Sequence, residues 1–123
     1  MNKPKIGYKV VEIRDGKYFS SSTNSSAKKR YHINRFVKRR PYFGALCLFK
    51  NLKDARKYSE MFVQQFVIFQ AEYIPSEDKA LWDTRYSEKL TAELLVRRYH
   101  CMSTFKKSNI LFAEQIKLLK EVK

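Results

Sequence analysis

The stretch Leu46-Cys47-Leu48-Phe49-Lys50-Asn51-Leu52-Lys53-Asp54-Ala55 constrains the fold of this chain more than any other. A short apolar strand runs into Asn51, and a helix starts there. Asn51 suits the N-cap because its side-chain oxygen can accept from an unpaired N–H of the first turn. Asp54 follows three residues on, where a negative charge complements the positive helix end. Leu52, Ala55, Ser59, Phe62 and Phe66 recur at helical spacing and define one apolar face, with Lys53, Arg56, Lys57 and Glu60 largely opposite. This spacing predicts one long helix packed on a sheet.

Other segments read mainly as strands. In Ile6–Arg14, Tyr8, Val10 and Glu12 alternate with Lys9, Val11 and Ile13, so both faces carry apolar content. Asp15-Gly16 then predicts a two-residue hairpin turn, because a type I′ turn needs positive φ at both positions. Lys17–Ser21 is the expected return strand, and Ser20–Ser26 a polar loop expected to be irregular. Tyr31 to Val37 reads as a third strand, and Lys38 to Gly44, with Pro41, as a turn. Phe66–Ile74 is rich in β-branched and aromatic residues and reads as a buried strand.

Residues 75–108 read as a helical insertion. Ser76 is positioned to cap a short helix through Trp82, and Leu90, Leu94, Leu95, Arg98 and Met102 fit a second helix over Ser87–Cys101. Trp82 is expected to anchor the insertion on the core. Ile110–Val122 is open between helix and strand, and the alternation of Ile110, Phe112, Glu114, Ile116 and Leu118 favours a strand. The expectation is one α+β domain over residues 1–123: an antiparallel sheet of about five strands, one long helix packed on it, and the helical insertion.

Charge narrows the function classes. Lys and Arg number 26 against 12 Asp and Glu, a net charge of +14. That balance favours nucleic acid, an anionic surface or an acidic protein as partner. It is also segregated: from Gly16 to Lys53 there is no acidic residue. Lys28, Lys29, Arg30, Arg35, Lys38, Arg39 and Arg40 fall in that window, interleaved with Tyr31, Phe36 and Tyr42. Phosphate backbones call for dispersed cations, and exposed bases call for planar groups to stack on. The window therefore reads as a nucleic-acid-binding face, with Lys28, Lys29, Arg30, Arg35, Lys38, Arg39 and Arg40 on phosphates and Tyr31 or Tyr42 stacking on a base. A solvated charged face beside ordinary core aromatics is the plainer alternative. A second basic group, Arg97-Arg98-Tyr99-His100 with Lys106-Lys107, reads first as an exposed helix side, since Glu93 stands four residues before Arg97.

No catalytic or cofactor pattern emerges. His32 and His100 lack a diagnostic neighbour, Cys47 and Cys101 have no CxxC partner, and there is no glycine-rich phosphate loop. The chain is read as non-enzymatic, without cofactor or metal. The cysteines are expected to be reduced thiols, with a disulfide between them as the alternative. No apolar run is long enough for a membrane span, and the opening residues do not read as a signal peptide. The expected location is the cytoplasm, the nucleus or the inside of a virus particle.

Three motifs carry a resemblance: the start Gly7-Tyr8-Lys9-Val10, the strand-to-helix step from Leu46 to Ala55, and the closing Ile116-Lys117-Leu118-Leu119-Lys120-Glu121-Val122. Together they resemble a class of short, mostly uncharacterised proteins of phages, large DNA viruses and some bacteria. The resemblance implies an α+β fold and a final strand, and no catalytic residues. It adds one alternative function: an accessory protein that binds another protein, either as a minor particle component or as an inhibitor of host defence.

Overall fold

The computed structural model describes residues 3–21, 29–40, 44–62, 65–83, 88–98 and 102–123; the side chains of Trp82, Asp83 and Arg98 lie outside that description. The elements in chain order are β1 (Lys5–Arg14), β2 (Lys17–Ser20), β3 (Arg30–Tyr31), β4 (Phe36–Lys38), β5 (Leu46–Phe49), α1 (Leu52–Glu60), β6 (Phe66–Pro75), β7 (Ala80–Asp83), β8 (Glu88–Thr91), α2 (Ala92–Arg98) and β9 (Ile110–Val122).

Local signals start the fold where they were expected. Asp15 and Gly16 take φ of 52° and 74°, and Arg14 pairs with Lys17 across the turn. Asn51 caps α1, its side chain accepting from the Asp54 N–H at 2.9 Å. Glu93 and Arg97 form the expected i,i+4 pair at 2.6 Å.

The sheet is the main departure from expectation. It has seven strands, and its pairings close a circuit. β1 pairs β6 from Lys5 opposite Tyr73 to Glu12 opposite Phe66, and β6 pairs β9. β9 pairs β5, and β5 returns to β1 through Tyr8 opposite Phe49. The ribbon β2–β3–β4 continues the wall, β2 pairing β1, β3 pairing β2, and β4 pairing β9. All of these pairings are antiparallel, and because they close a circuit the sheet is a barrel rather than an open platform.

Closure gives each strand two covered faces. Val11, Tyr31, Val37, Leu48, Phe69, Ala71, Tyr73, Ala113, Ile116 and Leu118 form one buried cluster, with Tyr18 packed against it. Every strand of the closed sheet contributes to it, which identifies it as the barrel interior. A second cluster lies outside the wall, where Val10, Phe49, Ile68, Ile110 and Phe112 meet Ala55 of α1, Leu90, Leu95, Met102 and Phe105. The mixed apolar content of both faces of β1 has this cause.

The α+β expectation of about five strands under one long helix is therefore corrected. Strands take 57% of the described residues and helices 19%. α1 has only 9 residues and stops at Glu60, with Met61 as its C-cap. Phe62 and Phe66 do not extend it. Phe66 opens β6, and the helical spacing survives because Tyr58, Phe62 and Phe66 pack as one aromatic group, ring centroids 5.1–6.2 Å apart. The helical insertion over 75–108 is corrected too. β7 and β8 pair as a hairpin where helices were expected, and α2 has 7 residues. Ser76 caps no helix; its hydroxyl accepts from the Asp78 N–H at 3.0 Å in a turn leading to β7. The single third strand is two short ones, because Asn34 at φ 63° reverses the chain between His32 and Arg35. The strand reading of Ile110–Val122 holds, with an addition. Register shifts against β6 leave Glu114 and Leu119 unpaired, so Phe112 faces outward while Ile116 and Leu118 face inward. Most of the serine loop (22–28), the turn at 41–43, Cys101 and the Trp82 side chain lie outside the described residues.

Gly7 makes the closure possible. It is buried in β1, and a Cβ there would stand 2.9 Å from Leu48 Cδ1 and 3.1 Å from the Phe49 carbonyl oxygen. A side chain here would press on β5, and the Phe49 carbonyl would have to give by a few tenths of an ångström. Gly7→Ala is expected to lower stability by about 1–3 kcal/mol, read from denaturant midpoints at unchanged m-value. Coincident unfolding curves for variant and parent would show that β5 does not bear on β1 here.

Candidate nucleic-acid interface

The basic window becomes the ribbon from Lys29 to Arg40, and β alternation sorts its side chains. Tyr31 and Val37 point into the barrel, so Arg30, His32, Phe36 and Lys38 point out. Arg30, Arg35, Lys38 and Arg40 are exposed and Lys29 is half-buried. Among the described residues, Arg30, Arg35 and Lys38 have no carboxylate partner. Their mutual field is visible in their neighbours. Partial burial and then the charge of Arg40 hold Lys29 below its ordinary value. Desolvation, then Arg35 and Arg30, hold His32 below its own. Arg30, His32 and Arg35 therefore gather at the β3–β4 reversal, with Lys29 and Arg40 in one another's field.

Two of the expected site residues are placed elsewhere. Tyr31 is 1% exposed, its ring is part of the barrel interior, and its hydroxyl has no hydrogen-bond partner among the described residues. It is a core residue and offers no face to a base. Arg39 is drawn into an ion network: Nη1 donates to Asp78 at 3.0 Å and Nε to Glu114 at 3.1 Å. Ser76 Oγ donates to Glu114 at 2.5 Å, and Lys89 Nζ reaches Asp78 at 3.3 Å. The bulge at Glu114 aims that carboxylate at Arg39. Burial alone would raise the Asp78 carboxyl, but the hydrogen bonds from Arg39 and Lys89 outweigh it and hold the group below its ordinary range. Arg39 therefore fastens the end of β4 to β9 and to the turn before β7. Replacing Lys38, Arg39 and Arg40 together would disturb the fold. Lys28 and Tyr42 lie outside the described residues.

The remaining aromatic of the ribbon, Phe36, is half-buried under Lys117 Nζ, 4.8 Å above its ring, and that ammonium lies 3.7 Å from Glu72. Neither Tyr31 nor Phe36 is an open platform, which leaves the half-buried His32 as the one outward ring among the described residues of the ribbon, beside Arg30 and Arg35, so the outward face is suited to phosphates more than to bases.

Lys9 was not singled out from the sequence. Its side chain shares the inward face of β1 with Val11, and the residue is 6% exposed. Nζ donates to the Cys47 carbonyl at 2.5 Å and lies 5.1 Å from the Tyr31 ring centroid. Burial pulls the ammonium down to about 8, against a smaller upward pull from Cys47. Burial in turn pushes the Cys47 thiol up to about 11, against the charge of Lys9. The signal for Lys9 was present in its parity with Val11.

No known protein family, curated protein or solved structure matches this chain. Among the described residues no three metal-ligating side chains converge, and no helix is long and apolar enough to cross a membrane.

Two expectations follow from this geometry. Charged Lys9 costs stability below pH 8, where folded and unfolded chains both carry the proton. Between about pH 8 and 10.5 only the unfolded chain carries it, so stability rises with pH across that window. Lys9→Met is expected to stabilise the protein by roughly 1–4 kcal/mol at pH 7, with the gain shrinking as pH rises through that window. A gain that stays constant to pH 10.5 would show that Lys9 is not buried as an ammonium. Arg39→Ala is expected to cost about 2 kcal/mol, since it strips Asp78 and Glu114 of a charged donor. Its effect on oligonucleotide affinity, measured well below the melting temperature, should be small.

Proposed function

We propose that the protein binds nucleic acid without catalysis, by neutralising phosphates with the outward face of the Lys29–Arg40 ribbon. The observation that carries this reading is that Arg30, Arg35 and Lys38 stand on one exposed ribbon with no carboxylate partner among the described residues, while nearby Glu72, Asp78 and Glu114 are engaged by Lys117, Arg39 and Lys89. Arg30 and Arg35 supply planar donors suited to phosphate oxygens, and Lys38 supplies a point charge. Lys29 and Arg40 add to the field. With Tyr31 inside the barrel and Phe36 covered, binding rests on backbone charge and discriminates little between sequences.

The alternative, docking to another protein through an apolar surface, has less to stand on. Among the described residues the exposed large apolar ones are Ile6 in β1, Ile33 at the β3–β4 reversal and Met61 at the C-cap of α1. An acidic protein partner uses the same charges and is told apart by experiment.

The test is salt-titrated fluorescence anisotropy with a labelled oligonucleotide, comparing the parent with the combined variant Arg30→Ala, Arg35→Ala, Lys38→Ala. Each lost phosphate contact should flatten the log–log salt slope by about 0.9 on duplex DNA or about 0.7 on a single strand. The variant's slope should therefore fall by roughly 2–3, with its melting temperature unchanged because all three side chains are exposed. Absence of parent binding at low salt, or a slope the substitutions leave alone, would remove nucleic acid as the ligand of this ribbon.

A further inference from the structure

We infer that the protein carries a second phosphate-binding face on the side of the molecule opposite the ribbon, and that it bridges two segments of nucleic acid. This rests on the reading of the ribbon given above and extends it from binding to cross-linking.

The second face is assembled from distant parts of the sequence. The Lys50 N–H donates to the Asn109 carbonyl at 2.8 Å, and Asn109 Nδ2 donates to Asp54 at 3.1 Å. Lys57 Nζ reaches the Thr104 carbonyl at 3.5 Å and lies 4.8 Å over the Phe105 ring. These contacts lay the segment 102–109 along the first turns of α1. They bring Lys106 and Lys107 beside Lys50, Lys53 and Lys57, and the first four of these are exposed. Arg56, on the next face of α1, reaches the Lys123 carbonyl at 2.8 Å. Asp54, already held by Asn109, and the exposed Glu60 share this surface, and Glu121 stands at its edge beside Lys123. The surface is thus strongly positive. Underneath it Phe105 is 5% exposed and packs on Phe49, so the lysines stand on a fixed layer.

Its orientation follows from the layers. Tyr31 and Val37 of the ribbon face the barrel interior, as do Val11, Leu48 and Phe69 of β1, β5 and β6. The opposite faces of those same three strands, Val10, Phe49 and Ile68, pack on the cluster that holds Ala55 of α1. From one side to the other the order is ribbon, interior, wall, outer cluster, α1. The outward faces of ribbon and α1 therefore point away from each other. A single duplex lying on the ribbon leaves the α1 face in solvent, where it can take the phosphates of a second segment.

The experiment is a bead capture. A DNA duplex is fixed to beads, protein is added, and retention of a second, labelled duplex is measured at low salt. The oligomeric state of the protein alone is measured by sedimentation. The variant Lys50→Ala, Lys53→Ala, Lys106→Ala, Lys107→Ala is expected to keep salt-dependent binding to a single duplex through the ribbon but to lose capture by roughly tenfold or more. The ribbon variant should lose capture as well and, in addition, weaken single-duplex binding. Melting temperatures of both variants should match the parent. Capture by the four-lysine variant equal to that of the parent overturns the bridging inference while leaving ribbon binding standing. A parent that sediments as a dimer, with capture indifferent to the four lysines, also overturns it. A parent that binds no duplex removes both readings.

Discussion

The close crossing of β5 over β1, where Tyr8 pairs with Phe49 above a glycine, is the constraint on which the rest of the molecule depends. It closes β1, β6, β9 and β5 into a circuit, which β2, β3 and β4 close a second time between β1 and β9. With it the same strands acquire an inside and an outside. The inside takes Val11, Phe69, Ile116 and Leu118, and the ribbon closes over them with Tyr31 and Val37. The outside takes α1, α2 and the β7–β8 hairpin. A closed sheet also hides strand edges that would otherwise invite pairing with another chain, and this matters for a protein whose longest strands run ten and thirteen residues.

Closure also explains where two charged side chains sit, Lys9 inside the barrel and Glu114 at its rim. Lys9 is inside because β1 must run in strict alternation between Gly7 and Val11, and no bulge is available there to turn it out. The fold meets the cost with one hydrogen bond to the Cys47 carbonyl and one aromatic face. β9 shows the opposite solution. Its bulge at Glu114 breaks alternation, turns a carboxylate toward Arg39 and lets Ile116 and Leu118 point inward. One strand tolerates a charge in the core, and the other spends a register shift to place a charge at the rim.

The parts legible in the sequence are those set by a few adjacent residues. Asp15-Gly16, Asn51 with Asp54, the strand Phe66–Ile74 and the pair Glu93–Arg97 all act over a turn or less, and all are present in the structure. What was not legible depends on partners far away in sequence. Phe62 and Phe66 continue a helical spacing, yet Phe66 pairs with Glu12 in a strand, because that pairing outweighs another turn of helix. The stretch from Ser76 to Trp82 reads as helix from its capping serine, and Ser87–Cys101 from the spacing of Leu90, Leu94 and Leu95, but each half of the β7–β8 hairpin supplies the other's hydrogen bonds. In the candidate site the cations were visible as a run without acids. Their sorting was not: Arg39 meets Glu114 and Asp78 only after the chain has folded, and Tyr31 becomes interior only once β3 covers the barrel.

The segregation of charge follows from the same layering. A chain at +14 repels itself, and the cost grows when like charges share a face. Here the ribbon and the α1 face are separated by the barrel and by a helix layer, about 10 Å for packed sheet walls and about as much again for a helix. That exceeds the screening length of about 8 Å at physiological ionic strength. Charges at the centres of the two faces are therefore well screened from each other, while at one edge the faces approach, where Ser20 bonds Lys29 and the adjacent Ser21 bonds Tyr58 of α1. Where the interior takes in a cation, as with Lys9, or a network neutralises one, as with Arg39, that charge is withdrawn from the surface. The exposed cations of the ribbon and those of the α1 face are the charges that the layers hold on different sides of the barrel.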